Sequence, residues 1–241
     1  MAAPLSATCV GVLNSDWAGP VEVTDLAPRC CAAHGARVRL DRLCVVIDNV
    51  LSKAECQALI EAAAVHHEQE APTGTSEPGI RSQFSNRDEA LSHLVWERIC
   101  HAVPAELDGG RVVGLEMDWR HAKYWPGQSF MAHMDFRHGP KDDECVASRI
   151  SFTLYLNDGF LGFEGGETAF VTGVRLDGGH AGEHYASRPR AGSAVLFYQC
   201  VPEFAHTGND VRGGSKSIMR ADVLYRFADR VAADVGGLRV G

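Results

Sequence analysis

Between residues 114 and 227 the chain alternates apolar and polar side chains with a period of two in run after run, and glycine- or proline-bearing steps separate the runs. That period belongs to strands, whose successive side chains point to opposite faces. Residues 114–124 set Leu115, Met117, Trp119 and His121 against Glu116, Asp118, Arg120, Ala122 and Tyr124. After Pro126-Gly127 a further strand runs over 129–135. Residues 148–157 place Ile150, Phe152, Leu154 and Leu156 opposite Arg149, Ser151, Thr153 and Tyr155, a polar face that must meet either water or a polar cavity. Gly165-Gly166 and Gly192 each turn into another strand. The last run, 216–227, lines Lys216, Ile218, Arg220, Asp222 and Leu224 along one face. A chain patterned in this way folds mainly as β-sheet.

Upstream, residues 43–50 read as a strand. Ser52-Lys-Ala-Glu55 reads as a capping box opening a helix to about residue 64, and a second helix covers 88–102 with Leu91, Leu94, Val95, Ile99 and Cys100 as its apolar stripe. Both helices are expected to flank the sheet. Residues 71–86, 136–147 and 171–190 read as loops, the places where substrate-determining elements usually sit.

The pattern H-x-[DE] occurs twice, at His133-Met-Asp135 and at His66-His67-Glu68. The second closes a helix and reads as a solvated helix end. The first lies on a strand, where a spacing of two puts both side chains on one side, as chelation by near neighbours requires. His206 follows the strand after Gly192, and Lys216 comes ten residues later. Two imidazoles and one carboxylate on one face of a metal form the set that holds ferrous iron and leaves positions open for other ligands.

The run Tyr124-Trp-Pro-Gly-Gln-Ser-Phe-Met-Ala-His133-Met-Asp135, with Tyr155-Leu-Asn157, Gly165-Gly-Glu-Thr168, Gly192-Ser-Ala-Val-Leu-Phe197, His206 and Lys216, resembles the prolyl 4-hydroxylase-like branch of the iron(II)/2-oxoglutarate dioxygenases. The resemblance covers residues 43–227 and implies a double-stranded β-helix, a cupin-like jelly roll with helices against it. It implies that His133, Asp135 and His206 hold Fe(II), that Lys216 pairs with the 5-carboxylate of 2-oxoglutarate, that Tyr155 donates to that carboxylate, and that Tyr124 lies over the co-substrate. The implied reaction consumes O2, decarboxylates 2-oxoglutarate to succinate and hydroxylates an unactivated C–H bond of a small molecule, an amino acid or a peptidyl, prolyl-type side chain, with ascorbate admitted as an accessory reductant. Oxidative demethylation would proceed by the same step. The carboxylate at Asp135 argues against halogenation, which needs a small residue there.

Arg220, four residues past Lys216, departs from the simplest pattern and leaves three readings open. It forms a salt bridge to Asp222 or another acid of the barrel; or it joins Arg120 or Arg149 in binding an acidic group of the substrate; or it anchors 2-oxoglutarate in place of Lys216. Two other readings of the whole chain compete with the oxygenase: a metal-binding jelly-roll sensor or binding protein, and a zinc hydrolase using the same ligands. The hydrolase gives the lysine no role, and the intact triad, Lys216 and Tyr155 weigh against the sensor.

The 241 residues are most simply one catalytic domain, with an irregular N-terminal extension over 1–42, the oxygenase core over 43–227 and a tail over 228–241. A net charge of −8 gives no basic footprint, which disfavours nucleic acid as a partner. No stretch reaches transmembrane length and the first residues lack a signal-peptide pattern, so the expected setting is soluble and cytoplasmic. The eight cysteines show no C-x-x-C spacing, and Cys44, Cys56 and Cys100 are expected as buried small hydrophobes. Oligomeric state has no signature in the chain.

Overall fold

The computed structural model describes residues 3–9, 11–13, 17, 19, 21–39, 42–68, 82–159 and 161–230. In chain order its elements are β1 (Glu22–Asp25), α1 (Ala27–Ala33), β2 (Cys44–Asp48), α2 (Lys53–Glu68), β3 (Ser82–Arg87), α3 (Glu89–Ile99), β4 (Glu106–Leu107), β5 (Gly110–Leu115), β6 (Asp118–Tyr124), β7 (Phe130–His133), β8 (Val146–Tyr155), β9 (Phe163–Gly165), β10 (Thr168–Thr172), β11 (Gly182–Ser187), β12 (Ala194–Tyr198), β13 (His206–Gly208), β14 (Val211–Gly214) and β15 (Lys216–Arg226).

Among the described residues, the larger sheet runs β1-β2-β12-β8-β15-β5-β4, with β6 and β3 extending from the other half of β15. A smaller sheet runs β11-β10-β13-β7, and β14 pairs with β9. The strand pairings within these sheets are antiparallel. This is the mainly-β fold that the alternation implied, in the jelly-roll form with flanking helices that the resemblance implied. β15 is its axis, bonded to β8 along one side and to β6 and then β5 along the other. The strand expected over 114–124 is broken into β5 and β6 at Glu116-Met117, two residues after Gly114, whose φ of 144° is one that side chains beyond glycine rarely adopt. That break lets two short strands share one long partner.

Every residue of β8 is buried, so the polar face of 148–157 meets the interior of the roll and not water. The opposite face packs Phe152 against Trp119 under α3, and Trp119 Nε1 donates to Ser92 Oγ at 2.9 Å. The capping box of α2 is formed: Ser52 Oγ accepts from Glu55 N at 3.1 Å, and Glu55 Oε2 accepts from Ser52 N at 2.8 Å. The Glu55 carboxylate also takes both arms of Arg98 from α3, at 2.8 and 2.9 Å, so a single buried group ties the two helices together.

Several expectations are corrected. The extension over 1–42 is not irregular throughout: β1 joins the large sheet against β2, and α1 follows it. Part of the loop at 71–86 is strand β3, while 71–81 lie outside the described residues, and the span 171–190 contains β11. Helix α2 continues to Glu68, and its end is not solvated, because β3 covers it: His67 is buried with Nδ1 3.0 Å from Ser82 Oγ, and His66 lies against Phe84. Cys44 and Cys56 are buried as expected, but Cys100 is exposed, since the chain tightens there into a 3-10 turn that rotates it off the apolar stripe. Among the described residues no helix is long and apolar enough to cross a membrane.

His121 of β6 stacks on Phe84 under that helix end, and its Nε2 donates to Asn86 Oδ1 at 2.7 Å while Nδ1 is buried without a partner. Burial, with smaller contributions from His67 and His66, pushes its pKa down to about 3. In the unfolded chain a histidine takes up a proton near pH 6.5, whereas the folded one refuses it until about pH 3, so stability is full above pH 6.5 and falls below it. The expected loss is about 1.4 kcal/mol per pH unit on that limb. Urea midpoints of the wild type and His121→Gln between pH 7 and 5 measure it, and equal slopes would remove His121 as the cause.

Candidate metal centre

β13 and β7 are neighbours in the small sheet, and their register makes His206 and His133 direct cross-strand partners with ring centroids 4.3 Å apart. Two imidazoles 73 positions apart are thereby set side by side by a backbone ladder. β7 ends at His133, so Asp135 lies just past the strand, where its carbonyl accepts from Cys200 N at 3.0 Å and holds the turn in place. The ligand atoms of His133, Asp135 and His206 all fall within 4.8 Å of one another.

Each imidazole is oriented in the same way. His133 Nδ1 lies 2.9 Å from the Met131 carbonyl and His206 Nδ1 lies 3.1 Å from the Phe204 carbonyl. A carbonyl can only accept, so the proton sits on Nδ1 and both Nε2 lone pairs are presented to the cluster. His133 Nε2 is buried and makes no hydrogen bond, although Asp135 Oδ1 lies 3.2 Å away. Burial and the neighbouring His133 push the His206 pKa down to about 3, which keeps this ring neutral and ligand-competent at physiological pH. For Asp135, burial opposes ionisation, but Arg220, followed by His206 and His133, outweighs it and holds the carboxyl well below its usual range. A pair of imidazole nitrogens and an ionised oxygen, with an orphaned Nε2 among them, fit a divalent cation. Phe170 and Phe197 pack around His206, and Phe130 stands edge-on to His133 at 4.5 Å, so the surround is apolar.

The first residue of β15 is Lys216, opposite Tyr124 on β6. Its Nζ donates to the Gly166 carbonyl at 2.6 Å and sits 5.4 and 5.6 Å from the ring centroids of Tyr124 and Tyr155. Burial pushes its pKa down to about 8 against a weaker upward pull from Glu167. Tyr155 is fully buried and donates to Thr168 Oγ1 at 2.7 Å. Lys216, Tyr124 and Tyr155 are thus brought together, as the sequence led one to expect.

The arginines fare differently. Arg220 Nη2 donates to Asp135 Oδ2 at 2.6 Å. Arg120 pairs with Asp222 and reaches Glu116 at 3.5 Å. Arg149 lies 3.1 Å from Asp108 and over the Phe227 ring. All three guanidinium groups are therefore matched by carboxylates of the chain itself, and the expectation that they stand ready as forks for an acidic substrate is not met. Sequence reasoning also missed a second cluster, Glu116, His138 and Asp222, whose ligand atoms likewise lie within 4.8 Å of one another. His138 Nε2 stands 3.0 Å from Glu116 Oε1, and this bond raises the His138 pKa. With Arg120 already inserted between its acids, this cluster is a closed ion network. The signal for it was the alternation that put Asp222 on the face of Arg220, but nothing local pointed from Asp222 to His138.

Residues 119–221 match the model of the 2OG-Fe(II) oxygenase superfamily. Among curated proteins none matches the sequence. In fold the chain is similar to the viral collagen prolyl hydroxylase of Paramecium Bursaria Chlorella virus-1, with 19% identity, a TM-score of 0.54, and coverage of 89% of this chain and 99% of that one. It is similar as well to SnoK, the non-heme alpha-ketoglutarate-dependent carbocyclase from nogalamycin biosynthesis, with 19% identity, a TM-score of 0.53, and coverage of 92% of each chain. The matched segment contains His133, Asp135, His206, Lys216 and Arg220, so the candidate site lies inside the stretch that matches the 2OG-Fe(II) oxygenase superfamily.

Proposed function

We propose that this oxygenase, which uses Fe(II), 2-oxoglutarate and O2 as its superfamily does, holds the metal with His133, Asp135 and His206 and the 5-carboxylate of 2-oxoglutarate with Lys216. When bound, these groups together supply the oxidation that converts 2-oxoglutarate to succinate and CO2 and hydroxylates a C–H bond of the substrate. The observation that carries the assignment is the pair of Nε2 lone pairs presented beside the Asp135 carboxylate, each fixed by a carbonyl bond on the far side of its ring.

The protein's own part is to bind, orient and keep water away. Lys216 is a buried cation set against a carbonyl and two aromatic faces, which suits its charge to an incoming carboxylate. The Tyr155 hydroxyl, which here donates to Thr168 Oγ1, would redirect its one proton to donate to that carboxylate, and Tyr124 lies beside the same lysine. Phe130, Phe170 and Phe197 exclude water around the histidines.

The substrate belongs among small molecules, amino acids and peptidyl side chains, and we favour an uncharged target such as a prolyl ring. Two features support this: the pairing of Arg120, Arg149 and Arg220 with aspartates, and the exposed apolar Met131 and Phe136 that flank His133 and Asp135. The viral collagen hydroxylase of similar fold agrees with that choice. A sensor or zinc hydrolase leaves Lys216 without a purpose and is not favoured. Anaerobic addition of Fe(II) and then 2-oxoglutarate to the metal-free protein should produce the weak visible charge-transfer band of the chelated co-substrate. Metal binding without that band would withdraw the assignment.

A further inference from the structure

Asp135 is divided between two partners. Oδ2 accepts from Arg220 Nη2 at 2.6 Å, and Oδ1 faces His133 Nε2 at 3.2 Å. The guanidinium that takes Oδ2 is held on its own strand: Arg220 sits on β15 opposite Arg120 of β6 and Thr153 of β8, and the next residue on its face, Asp222, is fixed by Arg120 and by Gln199 Nε2 at 3.1 Å. Charges of alternating sign therefore run from Asp135 through Arg220 and Asp222 to Arg120. Arg220 cannot swing away without giving up its hydrogen bond to Asp135.

We propose that Arg220 is a positioning residue that confines Asp135 to one-oxygen coordination through Oδ1. The inference rests on the metal assignment above. A free carboxylate can offer a divalent ion both of its oxygens, and a pair of imidazoles with a chelating carboxylate would fill four places of a six-coordinate ion. Two places would remain, whereas the two chelating oxygens of 2-oxoglutarate and a molecule of O2 together need three. Engaging Oδ2 in a charge-assisted hydrogen bond keeps the third place open. Arginine suits this, since its guanidinium reaches Oδ2 alone with one N–H and stays charged at any physiological pH. The same bond answers why the chain carries a second cation so near Lys216: it belongs to the ligand and not to the co-substrate.

Mn(II) serves as the probe, because its exchangeable waters can be counted by water-proton relaxation without turnover. The wild type is expected to show three such waters and Arg220→Met two; adding 2-oxoglutarate should displace two of them in each, leaving one in the wild type and none in the variant. Arg220→Lys, which restores a donor, should recover most of the third water, whereas Lys216→Met should weaken 2-oxoglutarate and leave the water count at three. An unchanged count in Arg220→Met would overturn the proposal, and so would a wild-type count of two, which decides the matter even if the methionine variant does not fold. Equal Mn(II) binding by the wild type and His133→Ala would instead dismiss the metal assignment beneath it.

Discussion

Replacing His206 with alanine should abolish turnover, with a loss on the order of a thousandfold or more. A metal's stabilisation of developing charge amounts to several kcal/mol, and each 1.36 kcal/mol is a factor of about ten in rate. His206 is the buried member of the cluster, held neutral by burial and aimed by the Phe204 carbonyl, and its loss leaves two of the three grouped donors, His133 and Asp135. The variant should keep its fold, because the ring packs on Phe170 and Phe197 in a small sheet whose backbone ladder is untouched. Succinate release and far-UV circular dichroism measure the two sides of this expectation. Residual succinate within tenfold of the wild type, from a folded variant, would remove His206 from the ligand set.

Lys216→Met should raise the concentration of 2-oxoglutarate needed for half-maximal rate about a hundredfold. Truncating one partner of a buried hydrogen-bonded charge pair costs about 3–5 kcal/mol, partly offset here because methionine leaves no orphaned ammonium. The same substitution should stabilise the metal-free protein. Burial lowers the lysine pKa from 10.5 to about 8, so at neutral pH the folded state carries a penalty that the unfolded chain does not, roughly 3 kcal/mol at most. A variant that melts higher yet binds its co-substrate far more weakly would show that this cation is kept for binding and not for stability. Protonated lysine is the binding form, so wild-type affinity for 2-oxoglutarate should fall about tenfold per pH unit above pH 8. A methionine variant with unaltered affinity would transfer the anchor to another residue.

Much of this was legible because strand periodicity is local. The buried polar face of β8, the wholly apolar β12 and the long final strand β15 each lie where the alternation puts them, and the Ser52–Glu55 box forms as written. The readings that failed depended on what lies opposite. His67 was read as a solvated helix end because nothing in its own helix announces that β3 will fold over it. Cys100 kept its place in a helical stripe on paper and lost it to a tighter turn of the backbone.

For the site itself, the chain alone specified the donor set: two histidines, an aspartate at a spacing of two from the first, and a lysine ten residues after the second. Residue type and short spacing suffice for that, since they decide which atoms are available and which face of a strand they share. Only the tertiary structure decided which charge meets which. Arg220 meets Asp135 across 85 residues, Arg120 meets Asp222 across 102, and Arg149 meets Asp108, whereas from sequence any of these acids was open to any of these bases. Ion pairing of this kind is fixed by strand register and by the bulges within it, and a slip of β15 by one residue would turn Arg220 and Asp222 to the opposite face of the sheet.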